Sequence, residues 1–132
     1  MAHEEVVGLP TLGLALARPV ADRLGHARIV ALMRSSTSPD VEKRRYVDPR
    51  MGPLLRGRRI ALSDDVLSSG ASICAGLDVL ETLGEAPTAS GAAMLQTSRW
   101  QARLEAREAG SAERVRGVLL TPLLERGPEG WR

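Results

Sequence analysis

Short apolar runs alternate with helical patterns along almost the whole chain. That alternation predicts a parallel sheet flanked by helices. Residues 5–9 read as a first strand, cut short by Pro10. Residues 13–24 read as a helix, because Leu16, Val20 and Leu24 recur every four residues. Pro19 lies inside this pattern and should kink the helix or mark its true start. Residues 28–33 read as the second strand. Residues 35–50 hold Ser-Ser-Thr-Ser-Pro and then Glu-Lys-Arg-Arg-Tyr, with no buried periodicity. They read as a mobile polar loop with room for a short hairpin near residues 45–47, followed by a helical turn over 51–55. Residues 59–63 form the third expected strand. The strongest helix is 72–83, with Ile73, Leu77, Leu80 and Leu83 as its core stripe and Gly84 as its stop. Residues 88–95 are a small, Ala-rich fourth strand. Residues 99–109 read as a surface helix, with Arg103 and Glu105, Arg107 and Glu108 sharing its exposed sides and Trp100 packing it onto the sheet. Residues 115–120 are the fifth strand. The tail from 121 to 132 carries two Pro and two Gly and reads as irregular. The expected architecture is a three-layer α/β fold around a mainly parallel five-stranded sheet, one domain spanning residues 1–132.

Composition narrows the function. The chain has 132 residues, within the range of about 100–200 residues for one domain. Its 18 basic and 16 acidic residues leave a net charge of +2, which excludes a strongly cationic nucleic-acid binder and an acidic tail protein. Tyr46, Trp100 and Trp131 are the whole aromatic complement, too few for a platform that stacks single-stranded bases. Cys74 is alone, so neither an internal disulfide nor a cysteine zinc site can form. It reads as a packing residue. His3 and His26 lack metal-ligand spacing and read as surface residues. Trp131 has three open readings: a base-stacking lid, a dimer contact, or no role. All but one of the basic residues are Arg, Lys43 being the exception, which looks like coding bias rather than a binding device. No uninterrupted apolar run reaches the ~18 residues of a membrane span. The start, Met-Ala-His-Glu-Glu, lacks the basic and apolar regions of a signal peptide. The expected compartment is therefore the cytoplasm, with neither nucleic acid nor a membrane as partner.

The chemically informative stretch is residues 61–72, Ala-Leu-Ser-Asp-Asp-Val-Leu-Ser-Ser-Gly-Ala-Ser. An apolar strand is expected to end in two adjacent carboxylates, Asp64 and Asp65. Ser69 and Gly70 then lead into the strongest helix. Open α/β sheets bind ligands at the carboxyl ends of their strands. At a helix N-terminus, free backbone N–H groups and the helix dipole favour an anion, by ~0.3–1 kcal/mol at surface sites. One end of this segment thus suits a phosphate. The other suits sugar hydroxyls or a metal, since carboxylates accept from the one and ligate the other. At average residue usage the pattern of two acids, two residues, two hydroxyls and Gly arises by chance about once in two thousand chains of this length. The purely structural alternative is a polar strand-to-helix turn with Ser72 as N-cap. Residues 10–13 have a similar alternative, a plain turn capped by Thr11.

The run RRIALSDDVLSSGASICAGLDVL resembles the signature of type I phosphoribosyltransferases: apolar strand residues, two acids, two apolar residues, then a Ser/Thr–Gly phosphate loop. The run EEVVGLPTLGLALARPVADRLG resembles the pyrophosphate loop of the same family, and it lies upstream in the family's order. The resemblance covers residues 5–120 and points to purine-type or uncharacterised bacterial members. It implies binding of 5-phospho-α-D-ribosyl 1-diphosphate (PRPP) with Mg²⁺, and transfer of the phosphoribosyl group to a nitrogenous base with release of diphosphate. By resemblance, Asp64 and Asp65 hold the ribose 2′- and 3′-hydroxyls and could meet the metal through water. Ser68, Ser69, Gly70, Ala71 and Ser72 wrap the 5′-phosphate. Pro10, Thr11, Leu12 and Gly13 present backbone groups to the diphosphate. Arg34, ending the second strand, matches a basic residue of the family, and Lys43 and Arg44 match its mobile basic loop. Members of the family are often homodimers.

Two departures stand out. The family's segment before the first strand forms part of a hood over the base, and here the first strand begins almost at Met1, so that segment is expected to be absent. Enzymes acting on 6-oxopurines commonly carry an Asp at the position of Ser68, and a Ser cannot act there as a general base at neutral pH. Beside the transferase stand a non-catalytic PRPP-binding or regulatory module and a truncated, inactive relative.

Overall fold

Strands buried on both faces build the centre of the sheet, and small residues decide how closely the helices approach it. The computed structural model describes residues 4–10, 12–34, 45–96, 99–122 and 126–131. Strand β1 (Glu5–Gly8) leads into helix α1 (Gly13–Arg23) and strand β2 (Val30–Arg34). Strand β3 (Arg45–Val47) and the single helical turn α2 (Gly52–Leu55) follow. Strand β4 (Ile60–Leu67), helix α3 (Ala71–Thr82), strand β5 (Pro87–Gln96) and helix α4 (Arg99–Arg107) come next. A 3₁₀ turn (Ser111–Arg114) then opens strand β6 (Val115–Thr121), and two short strands, β7 (Arg126–Gly127) and β8 (Gly130–Trp131), close the chain.

Six strands form the main sheet, in the order β3-β2-β1-β4-β5-β6. All neighbours are parallel except β2 and β3, which pair antiparallel with Met33 opposite Tyr46. The expected five-stranded sheet thus gains a sixth strand at its edge. β3 is only three residues long, too short for a periodic signal, and the sequence offered just the hint of a hairpin there. The tail, expected to be irregular, contains the two-stranded hairpin of β7 and β8, Gly127 opposite Gly130.

From β1 the chain crosses through α1 to β2; from β4 it crosses through α3 to β5, moving the other way along the sheet. Right-handed crossovers in opposite directions put their helices on opposite faces. Val7, Leu32, Ile60 and Leu62 accordingly form one core with Ile73 and Leu80 of α3 and Trp100 and Leu104 of α4. Val6, one residue out of phase with Val7, packs with Ala17 and Ala21 of α1. The layers are as expected: α3 and α4 on one side, α1 on the other.

α1 buries a face other than the one expected, whereas α3 buries the expected face apart from Leu83. α1 starts at Gly13 and runs through Pro19, which lies exposed, so Pro19 is not its start. Its buried residues are Gly13, Ala17 and Ala21 rather than Leu16, Val20 and Leu24. The reason is close approach: a Cβ on Gly8 would stand 2.9 Å from the Ala17 Cβ, leaving no room for a larger stripe. Leu16, Val20 and Leu24 instead line a shallow apolar groove beside Ala61, Ala89 and Val118. In α3 the buried residues are Ile73, Gly76 and Leu80; Leu77 is partly buried against them and Leu83 is exposed. Gly84, at φ +75°, ends α3 as expected. Gly84 N–H donates to Glu81 O at 2.9 Å and Glu85 N–H to Leu80 O at 2.9 Å, the paired bonds of a Schellman cap.

Candidate active site

β1 and β4 lie side by side at the point where the strand order reverses, with Glu5 opposite Ile60 and Gly8 opposite Ser63. Ligands of open α/β sheets bind in the crevice beyond the carboxyl ends of such a pair. The two segments singled out in the sequence, residues 10–13 and 64–72, are the exits of these two strands.

β4 does not stop before its acids. It runs on to Leu67, with Asp64 opposite Ala92 and Leu67 opposite Leu95. Asp64 and Asp65 were expected just beyond the strand; they belong to it. Val66 and Leu67 continue its apolar character, and β5 supplies ladder partners after β1 has ended. Asp64 is buried, and its Oδ1 accepts the Asp65 N–H at 2.8 Å. Asp65 is half-buried. The two carboxylates are therefore held on sheet backbone rather than on a loose turn.

Residues 66–73 curl around a cup of about 60 Å³. Gly70 forms its bend: at φ +80° it is the N-cap of α3, a left-handed conformation that favours Gly. A Cβ there would also lie 3.2 Å from Trp100 Cα. Ser72 is thus not the cap. It sits in the first turn of α3, half-buried, while Ser69 Oγ accepts the Ala71 N–H at 3.3 Å. The first N–H groups of a helix have no intrahelical acceptor, and α3 has no acidic residue in its first turn to occupy them. Chemically the cup suits an anion, and the neighbouring carboxylates suit hydroxyl hydrogens or a cation. No group of three or more His, Cys, Asp or Glu among the described residues is arranged to hold a metal by itself.

On the β1 side, Pro10 is half-buried and Leu12 is exposed as the N-cap of α1, with no side-chain cap bond. Gly13 is buried for a steric reason: a Cβ there would stand 2.8 Å from Ser63 O and 3.0 Å from Asp64 Cα. It lets the start of α1 rest directly on the strand bearing the acids. Arg34 ends β2 opposite Arg45, at the same carboxyl end of the sheet. Thr11, Lys43 and Arg44 lie outside the described residues, as does His3.

Trp100 does pack α4 onto the sheet: it is buried and its Nε1 donates to Gln96 O at 2.8 Å. The sequence did not reveal that it also backs the phosphate-loop candidate at Gly70, because nothing in the local pattern links residues thirty apart. Cys74 lies partly buried against the core, and burial pushes its thiol up against the downward pull of Arg107 and Arg103. That fits packing rather than reactivity. Trp131 is exposed on the tail hairpin.

Strand order and switch point define an open α/β protein, with the acid–loop–helix unit at the carboxyl end of its sheet. The chain belongs to the phosphoribosyl transferase domain family, whose model matches residues 4–111. It is 35% identical over 95 residues to an adenine phosphoribosyltransferase of Mycobacterium avium (strain 104), a match covering 64% of this chain and 52% of that protein. The chain thus spans about half the length of the relatives it matches in sequence. Its fold is similar to the crystal structure of adenine phosphoribosyltransferase from Thermoanaerobacter pseudethanolicus, with a TM-score of 0.69 at 17% identity, covering 90% of this chain and 70% of that one. It is also similar to the enzyme from Giardia lamblia complexed with 9-deazaadenine, with a TM-score of 0.63 at 22% identity, covering 90% and 70%. Among the described residues no helix is long and apolar enough to cross a membrane.

Proposed function

We propose that the protein transfers the 5-phosphoribosyl group of PRPP to a purine, adenine in preference to 6-oxopurines, and releases diphosphate. The observation that supports this best is the placement of Asp64 and Asp65 on β4, followed at once by the Gly70 bend into α3. That unit offers acceptors for two sugar hydroxyls and N–H donors for a phosphate, spaced along one strand-to-helix connection. The relatives' name, adenine phosphoribosyltransferase, supports the transferase over a non-catalytic binding module and a purine over other bases. Ser68 supports adenine over hypoxanthine or guanine, since it offers no carboxylate beside the base.

In this reading the bond between ribose C1 and a diphosphate oxygen breaks, and the diphosphate leaves with the electron pair. A ring nitrogen of the purine forms the new bond to C1, and its proton passes to the departing diphosphate or to solvent. Asp64 and Asp65 hold the 2′- and 3′-hydroxyls while C1 gains positive character. Their negative charge stabilises that change, and their attachment to the sheet spares reorganisation during the reaction. Residues 68–72 anchor the 5′-phosphate. By resemblance, backbone groups of residues 10–13 and the cations of Arg34, Lys43 and Arg44 would meet the leaving diphosphate. Mg²⁺ takes one or two protein carboxylates with waters and substrate phosphates rather than an all-protein cage, so Asp64 or Asp65 would hold it through water. When bound it offsets charge on the departing diphosphate.

The test is diphosphate release from Mg²⁺–PRPP with adenine, hypoxanthine, guanine, orotate or uracil offered singly. Release with adenine well above that with the others is expected. PRPP binding by calorimetry without release on any base would overturn the transferase reading and leave a binding module; absence of PRPP binding would overturn both.

A further inference from the structure

Among the described residues, no acid compensates Arg103 on the surface of α4. Arg107, one turn further on, is held by Asp78 and Glu81 of α3. Glu108 pairs with Arg114. Glu105, which the sequence pairs with Arg103 on the helix surface, accepts instead from the N–H groups of Gly110 and Ala112, at 2.8 and 3.0 Å. Arg103 forms no ion pair or side-chain hydrogen bond among the described residues.

Its position makes that unusual. A Cβ built on Gly70 would lie 3.4 Å from Arg103 Cδ, so the stem of Arg103 runs beside the bend of the 68–72 loop. The positive end of the α3 dipole lies at the same place, and like charge there is unfavourable. An acidic residue in the first turn of α3 would offset both, and none is present. A cation beside a helix N-terminus, with Asp78, Glu81, Glu105 and Glu108 committed elsewhere, suits an anion brought from outside the chain.

We propose that Arg103, reaching across from α4, is a contact for the phosphate held in the 68–72 loop. This rests on the phosphoribosyl reading of that loop and extends it: the loop's N–H groups and hydroxyls supply the cradle, and a guanidinium from the next crossover helix supplies the formal positive charge. Arg suits the task because its planar fork can meet two phosphate oxygens at once.

Calorimetric titration of wild type, Arg103→Gln and Arg103→Lys with three ligands tests it: Mg²⁺–PRPP, ribose 5-phosphate and Mg²⁺–diphosphate. Gln keeps much of the stem and the helix propensity, and circular dichroism checks the fold of each variant. In Arg103→Gln, PRPP and ribose 5-phosphate should both weaken about tenfold, the usual effect of removing one charge-assisted contact. Diphosphate should bind as in wild type, and Arg103→Lys should recover part of the loss. Unchanged ribose 5-phosphate affinity in Arg103→Gln would overturn the proposal. Equal weakening of diphosphate would also overturn it, since the effect would then not be local to the loop. A wild type that binds PRPP but loses nothing in either variant removes Arg103 alone; a wild type that binds none of the three ligands removes the phosphoribosyl reading as well.

Discussion

The proposed site turns on Asp64 and Asp65, and their neighbours show what each can tolerate. Asp64 is buried and already hydrogen-bonded to the Asp65 N–H, so its side chain is oriented before any ligand arrives. The double change Asp64→Asn, Asp65→Asn keeps the shape and removes the charge. It should weaken Mg²⁺–PRPP binding by tenfold or more on the scale of about 1.5–3 kcal/mol for hydrogen bonds to charged groups, read by calorimetry. Unchanged affinity would remove these residues from the site. Cys74 offers a prediction with a definite sign. Burial raises its thiol pKa, so less thiolate is present at any given pH than in a free cysteine. Alkylation by iodoacetamide should be slow at neutral pH and should rise only above the usual thiol midpoint of about 8.5. A midpoint below that value would mean that the Arg103 and Arg107 charges outweigh burial.

At the scale of elements, glycines separate positions that merely turn from positions that must touch. Gly84 stands at φ +75° with open space around it. Gly84→Ala should cost about 1–2 kcal/mol of stability in denaturant unfolding, the strain of a left-handed alanine, with ligand binding unaffected. Gly13→Ala meets backbone instead, Ser63 O and Asp64 Cα. The overlap should cost about 1–3 kcal/mol and, unlike Gly84→Ala, should also weaken PRPP binding, because α1 must lift off the strand that bears the acids. The same distinction explains what could be read from the chain. Strand and helix existence was legible wherever a pattern ran for two turns or five residues, as in α3 and β4. The buried face of α1 was not, because Leu16, Val20 and Leu24 outweigh Ala17 and Ala21 in hydrophobicity, although only the small residues fit against β1. The end of β4 was misjudged because charged residues signal a strand terminus, whereas its ladder with β5 continues through both of them. The Asp64–Ser72 unit itself was legible because its chemistry is consecutive. The support it receives from Gly13, Trp100 and Arg103 is not, since these residues meet it only through the fold.

At the scale of the molecule, β6 is an edge strand with apolar side chains left in solvent: Val118 is 76% exposed and Leu120 78%. Exposed apolar edges invite association. Leu120→Lys should raise the protein concentration at which light scattering first detects assemblies, and an unchanged threshold would show that this edge is not what limits solubility.

The sheet itself has a seam. The ladder between β1 and β4 is the hydrogen-bonded join between its β3-β2-β1 half and its β4-β5-β6 half, and the Leu9 N–H extends it by one more bond to Ser63 O. A ligand gripped by the exits of both strands acts as a splint across that join. Occupancy should therefore slow deuterium uptake at Val7 and Ser63, whose N–H groups close this ladder, far more than at Leu119 on the outer edge, so that the backbone reports the ligand from inside the sheet.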